Sequence, residues 1–137
     1  MLSKTTRSSH RPRNSIKRAG RLKLTMMLLK LFELWQLTTE EKLSTLGMPA
    51  DYRSVLRRYA HGQAIPGNRD TIDRASHLIA IHQCLRLLFP NNRELAYGWM
   101  KTKNKSMHGY SPIEMIDHLG FSGLLIVHRY LSKAVNG

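Results

Sequence analysis

The chain is poor in the residues that most enzymes and secreted domains rely on. It has one cysteine, Cys84, in 137 residues, which excludes an internal disulfide framework and fits a reducing compartment. Cys84 lies in an apolar helical run and reads most plainly as a small hydrophobe. Acidic residues number only nine against 22 lysines and arginines, so paired-carboxylate catalysis has little to work with. No CxxC, HxxxH or HExxH spacing and no glycine-rich phosphate loop occurs. Of the seven histidines, His77 and His82 are five apart and so face different sides of a helix, while His108, His118 and His128 fall on separate elements. The expectation is a non-enzyme with no catalytic residues, no metal and no cofactor. Long hydrophobic runs are also missing. The most apolar window, Leu22 to Leu37, is broken by Lys23, Lys30, Glu33 and Gln36 and is short for a bilayer, so no membrane association is expected.

What is present is positive charge. The formal charge of +13 and pI near 10.5 imply a polyanionic partner, with nucleic acid leading over an anionic membrane or an acidic protein. The first 23 residues hold eight cations (Lys4, Arg7, Arg11, Arg13, Lys17, Arg18, Arg21, Lys23) and no acid. An organellar transit peptide, a basic arm against DNA phosphates and an idle tail all fit this composition; nothing marks a cleavage site, so residues 1–21 are read as a basic flexible arm, disordered when free.

From Leu22 the pattern is helical throughout, with no period-2 run and no internal repeat. Leu24, Leu28, Leu31, Phe32 and Trp35 predict a first helix to about Gln36. Thr38 and Glu41 form a capping box for a short second helix carrying Leu43 and Leu46, ended by Gly47. Pro49 suits the first turn of a third helix, in which Tyr52, Val55, Leu56 and Tyr59 make one apolar stripe. Ser54 and Arg57 lie opposite that stripe, with Arg53 and Arg58 on its flanks. Two short helices, a glycine turn between them and a basic outer face are the arrangement of a helix-turn-helix over residues 22–66. Arg53 and Arg57 have the reach for guanine edges, Ser54 for a base or phosphate, and Arg58, His61 and Lys42 for phosphates. The plainer reading is a solvated face on a basic protein.

A connector with Pro66, Gly67 and Asn68 precedes a long fourth helix, about Thr71 to Leu88, capped by Asn68 or Asp70. Its Ile72, Ala75, Leu78, Ile79, Ile81, Leu85 and Leu88 cover more than one face, so it is expected between two layers, joining the halves. Phe89 and Pro90 end it. Asn91 is expected to cap a fifth helix with Leu95 and Trp99 inward and Met100 beside them. After a loop over 102–110, Ser111, Pro112 and Glu114 form a second capping box for a sixth helix with Ile113, Met115, Ile116 and Leu119, stopped by Gly120. Ser122 is the expected cap of a last helix carrying Leu124, Leu125, Val127, Tyr130 and Leu131. Trp99, Met100, Tyr97, Phe121 and Tyr130 suit a core and a partner groove equally. An all-α chain with a second unit over 67–137 follows.

The run Leu85 to Trp99 (LRLLFPNNRELAYGW), then Asn104, Gly109, Ser111 and Pro112, then Gly123, Leu124 and Leu125, and Arg129, Tyr130 and Leu131, resembles the C-terminal toxin-binding domain of MbcA/ParS/Xre antitoxins. Upstream, Leu34 and Trp35 and the Leu46 and Gly47 break before a basic helix resemble the Xre-type helix-turn-helix of the same family. The resemblance spans about residues 22–134. It implies a homodimeric antitoxin in the bacterial cytoplasm that neutralises a cognate RES-domain, NAD-consuming toxin and binds its own operator DNA as a repressor. By the same resemblance, Lys133, Ala134, Val135, Asn136 and Gly137 approach the toxin's NAD pocket, and Asn104, Tyr110, Ser111, Arg129 and Tyr130 are contacts. Met107 stands where the family pattern suggests an aromatic, and the arm 1–21 lies outside that pattern. A plain helix-turn-helix regulator without a toxin and a basic RNA-binding protein are the rival readings.

Overall fold

Helix α1, Arg18–Leu34, opens the architecture of the computed structural model, which describes residues 17–137; of the flexible arm expected over 1–21, residues 1–16 lie outside the described residues, and Arg18 to Arg21 are instead the first turn of α1. Then come α2 (Thr39–Thr45), α3 (Arg53–Ala60), α4 (Arg69–Leu88), α5 (Arg93–Gly98), 3-10 turns at Trp99–Lys101 and Lys105–Met107, α6 (Pro112–Leu119) and α7 (Phe121–Asn136). No strand occurs among the described residues, which are all-helical as expected.

One apolar cluster runs from Leu28, Leu31, Phe32 and Trp35 of α1 through Ala75, Leu78, Ile81 and Leu85 of α4 to Leu124, Val127 and Leu131 of α7. The arc of apolar residues on α4 is buried on both sides because the helix packs on α7 along one flank and on α1 and α5 along the other. This is the joining role its sequence implied.

Local chemistry sets the ends. Thr38 Oγ1 accepts the Glu41 amide at 3.2 Å while Glu41 Oε1 accepts the Thr38 amide at 2.8 Å, closing the expected capping box of α2. Ser111 and Glu114 do the same for α6, at 3.1 and 2.7 Å. The Ser111 amide first, and Lys103 at 3.0 Å second, hold the Glu114 carboxyl below its ordinary range. Gly47 takes φ +70° just after α2, as a C-terminal cap requires.

Several boundaries differ from expectation. Helix α1 starts at Arg18, before Leu22. Pro49 does not open α3: the Tyr52 amide closes a turn onto the Pro49 carbonyl at 3.0 Å, and the helix begins only at Arg53. Tyr52 therefore leaves the apolar stripe and is exposed, whereas Tyr59 is buried. Asn92, not Asn91, caps α5, its Oδ1 accepting the Leu95 amide at 3.0 Å. That register turns Ala96 and Met100 inward and leaves Leu95 on the surface. Leu119 is exposed too, at the end of α6. Ser122 does not cap α7. Gly120, at φ +61°, ends α6 and begins α7 in a single residue, leaving no room for a separate cap.

Candidate functional site

Two surfaces carry the expected site residues. The first is built by α2 and α3. Helix α2 is tied to the C-terminal half at three points: Ser44 Oγ donates to Asp117 Oδ1 at 2.9 Å, Lys101 Nζ meets Glu41 Oε1 at 3.2 Å, and the Arg74 guanidinium reaches the Thr45 carbonyl at 3.5 Å. Arg74 also covers the Phe121 ring at 5.5 Å, so one side chain bridges the end of α2 and the start of α7. On α3, Arg53, Ser54, Arg57, Arg58 and His61 are all exposed, on one outward side of the Tyr59 anchor. Arg53 is ion-paired with Glu40 across the turn. Arg57 makes no ion pair among the described residues. His61 Nδ1 donates to the Arg57 carbonyl at 2.7 Å, which fixes that tautomer and turns Nε2 outward. Lys42 lies on α2, half-buried, apart from the α3 row.

The second surface joins the 102–110 loop to α7. Asn104 organises the loop: its Oδ1 accepts the Ser106 amide at 2.8 Å, its carbonyl accepts the Met107 and Gly109 amides, and its amide donates to the Tyr110 carbonyl. His108 and Gly109 take positive φ to close it. Met107, the departure from the family pattern, is buried and pins the loop to the core. The Ser106 hydroxyl lies 3.5 Å from the Tyr130 hydroxyl, and Tyr130 stacks on Trp99 with ring centroids 6.0 Å apart and planes 16° from parallel. Asn104 and Tyr130 are thus brought to one surface. Tyr110 sits at the loop's far end against His118. Ser111 is buried with its hydroxyl engaged in the α6 cap, so it shapes this surface from beneath. Arg129 is exposed, and Lys133, Ala134, Val135 and Asn136 form the last turn of α7, followed by Gly137. Arg129, Lys133 and Asn136 border a shallow groove of about 450 Å³ whose wall includes His77 and His128.

Spacing alone missed those two histidines. His77 of α4 and His128 of α7 meet Nδ1 to Nδ1 at 2.7 Å, with Phe121 edge-on to His77. One Nδ1–H donates and the other Nδ1 accepts, so a proton on the accepting nitrogen breaks the bond. Burial, and next the nearby His77, hold the His128 pKa below its ordinary 6.5. Burial first and Arg86 second do the same for His82, which stacks on Tyr97. The unfolded chain then takes up protons at these positions near pH 6.5 while the folded chain resists. Their contribution to stability is full above that value and is lost as pH falls below it. The melting temperature is expected to drop between about pH 6.5 and pH 5, and less steeply in His128→Gln. A His128→Gln profile parallel to the parent's would contradict the assignment. No cluster of three or more potential metal ligands occurs among the described residues, and none of their helices is long and apolar enough to cross a membrane.

Comparison with known proteins bears on the second surface. Over 109 residues, 79% of this chain and 81% of the relative, the sequence is 27% identical to a Sinorhizobium fredii protein described as the uncharacterized protein y4oB. Residues 84–134, from the last turn of α4 almost to the end of α7, match the model of the antitoxin Xre/MbcA/ParS C-terminal toxin-binding domain. This stretch contains the Asn104 loop, the Trp99–Tyr130 stack and Arg129. From Cys84 to Ala134 the chain is similar to the antitoxin Xre/MbcA/ParS C-terminal toxin-binding domains, a likeness that supports an antitoxin's part in a toxin–antitoxin system.

Proposed function

We propose that this chain is the antitoxin of a RES–Xre pair, acting in the bacterial cytoplasm. A C-terminal unit, residues 67–137, docks on an NAD-consuming RES-domain toxin through the loop at Asn104 and Tyr110, the α7 face at Arg129 and Tyr130, and the last turn from Lys133 to Gly137. Occlusion of the toxin's substrate pocket is the mechanism, with no catalysis and no cofactor in this chain. An N-terminal unit, residues 22–66, binds the operator of its own gene pair as a homodimer and represses it. The observation that carries the toxin-binding half is the family match over 84–134 laid on an organised, aromatic-bearing surface.

The DNA-binding half is supported by the exposed cationic row on α3, backed by α1 and α2. Between α2 and α3 stand seven residues, Leu46 to Tyr52, a longer turn than the three or four of a minimal helix-turn-helix. Arg57→Ala is expected to weaken operator binding by about 1–3 kcal/mol and relax preference at one base position, as loss of a bidentate contact does. Arg53→Ala should cost less, because its guanidinium must first leave Glu40. Titration of a labelled duplex carrying the upstream region of the gene checks both. Unchanged affinity in Arg57→Ala would remove α3 as the reader.

A further inference from the structure

We propose that the groove between α4 and α7 receives an acidic side chain of the toxin, gripped by Arg129 and Lys133 beside the His77–His128 pair, and that docking adds a proton to that pair. This rests on the reading of α7 as a toxin-docking face. Arg129, Ser132, Lys133 and Asn136 border the groove of about 450 Å³ together with the two imidazoles. Arg129 and Lys133 are four apart and so rise from one face of α7. Both are exposed, and neither makes an ion pair among the described residues. Ser132 and Asn136 add neutral donors. Leu125 adds an apolar stretch of wall, which suits the methylene stem of Asp or Glu and has nothing to offer a phosphate.

No acidic side chain lines the groove among the described residues. From Arg74 to Arg93 and from His118 to Gly137 the sequence has none. Asp73, one turn before His77 on α4, approaches Arg69 at 3.8 Å, and Asp117 of α6 accepts the Ser44 hydroxyl. Arg74, also about a turn before His77, covers the Phe121 ring that lies edge-on to His77. The groove therefore carries positive charge that its own surroundings do not balance. A partner carboxylate supplies the balance and favours the charged form of the histidine pair. The pair can take one proton without coming apart. The proton enters at the free Nε2 of the donating ring, and the Nδ1–H···Nδ1 bond between α4 and α7 stays. In the free protein burial, and next His77, opposes charge on His128. With the carboxylate bound the preference shifts toward the charged pair. Affinity then rises as pH falls across the interval between the bound and the free pKa.

The test titrates the full-length chain with the purified product of the neighbouring open reading frame, from about pH 7.5 to about pH 5.5. Two variants are compared with the parent: Arg129→Glu with Lys133→Glu, and His77→Gln with His128→Gln. The charge-reversed variant is expected to bind roughly 100-fold more weakly, because it sets like charges against the incoming carboxylate. Both of its side chains are exposed, so it should melt like the parent. Parent affinity is expected to rise by up to about tenfold per pH unit as pH falls, and the histidine variant to lack that rise. Equal affinity in the parent and the charge-reversed variant overturns the groove alone. A parent profile that runs parallel to the histidine variant's overturns the proton's part in docking. A parent that does not bind the product overturns the antitoxin reading as well. A charge-reversed variant that keeps its affinity for the product but loses affinity for duplex DNA overturns the choice of partner.

Discussion

Gly123→Ala should lower the melting temperature by on the order of 10 °C and, with it, disrupt the packing of α6 on α7. A Cβ at this position would stand 2.2 Å from the Met115 carbonyl oxygen, 2.8 Å from its carbon and 3.0 Å from Ile116 Cα. All three are backbone atoms, so no side-chain rotation relieves the contact. Helices α6 and α7 must separate, and Ile116, Leu124 and Val127, each at most 1% exposed, lose packing together. Overpacking of this kind costs about 3 kcal/mol. Gly98→Ala is the control: nothing lies within 4 Å of its added methyl, and its φ of −86° suits alanine. That variant is expected to melt at or slightly above the parent temperature. Thermal circular dichroism on both checks the pair. A Gly123→Ala protein that melts like the parent would mean that α6 and α7 do not cross this closely.

Deleting residues 133–137 is expected to abolish protection against the toxin while leaving the fold and operator binding intact. Leu131 is the last buried apolar residue of α7. Beyond it Lys133, Ala134, Asn136 and Gly137 are exposed and Val135 is half-buried, so the truncation removes little core. Its melting temperature should stay close to the parent's, which separates a functional loss from unfolding. Tyr130→Ala supplies a second reading of the same surface. It removes the ring stacked on Trp99, and a buried aromatic anchor of an interface is worth about 2 kcal/mol or more, roughly 30-fold in toxin affinity. Growth of cells expressing the toxin with each variant is the measurement. Full protection by the truncated chain would contradict occlusion by the last turn of α7.

Features written locally were legible in the sequence. The two capping boxes need only residues three apart, Thr38 with Glu41 and Ser111 with Glu114, and both form. The wide apolar arc of α4 announced a helix packed on two sides. Ends set by competing signals were harder. Asn91 and Asn92 are equal as caps on paper, and only the register that buries Ala96 and Met100 chooses Asn92. Pro49 suited a helix start, but its turn closes on Tyr52 before α3 begins. Long-range pairings were invisible. His77 and His128 are 51 positions apart and meet only because α4 and α7 lie side by side. Trp99 and Tyr130 were equally good as core or surface until their stack beside Ser106 placed them at the loop.

The most direct measurement of the antitoxin role is co-expression. The open reading frame neighbouring this gene is expressed alone and together with this chain, and growth and cellular NAD are followed. The expected result is a collapse of NAD with the neighbour alone and its recovery when this chain is present. A harmless neighbour, or a collapse that this chain does not relieve, would contradict the account.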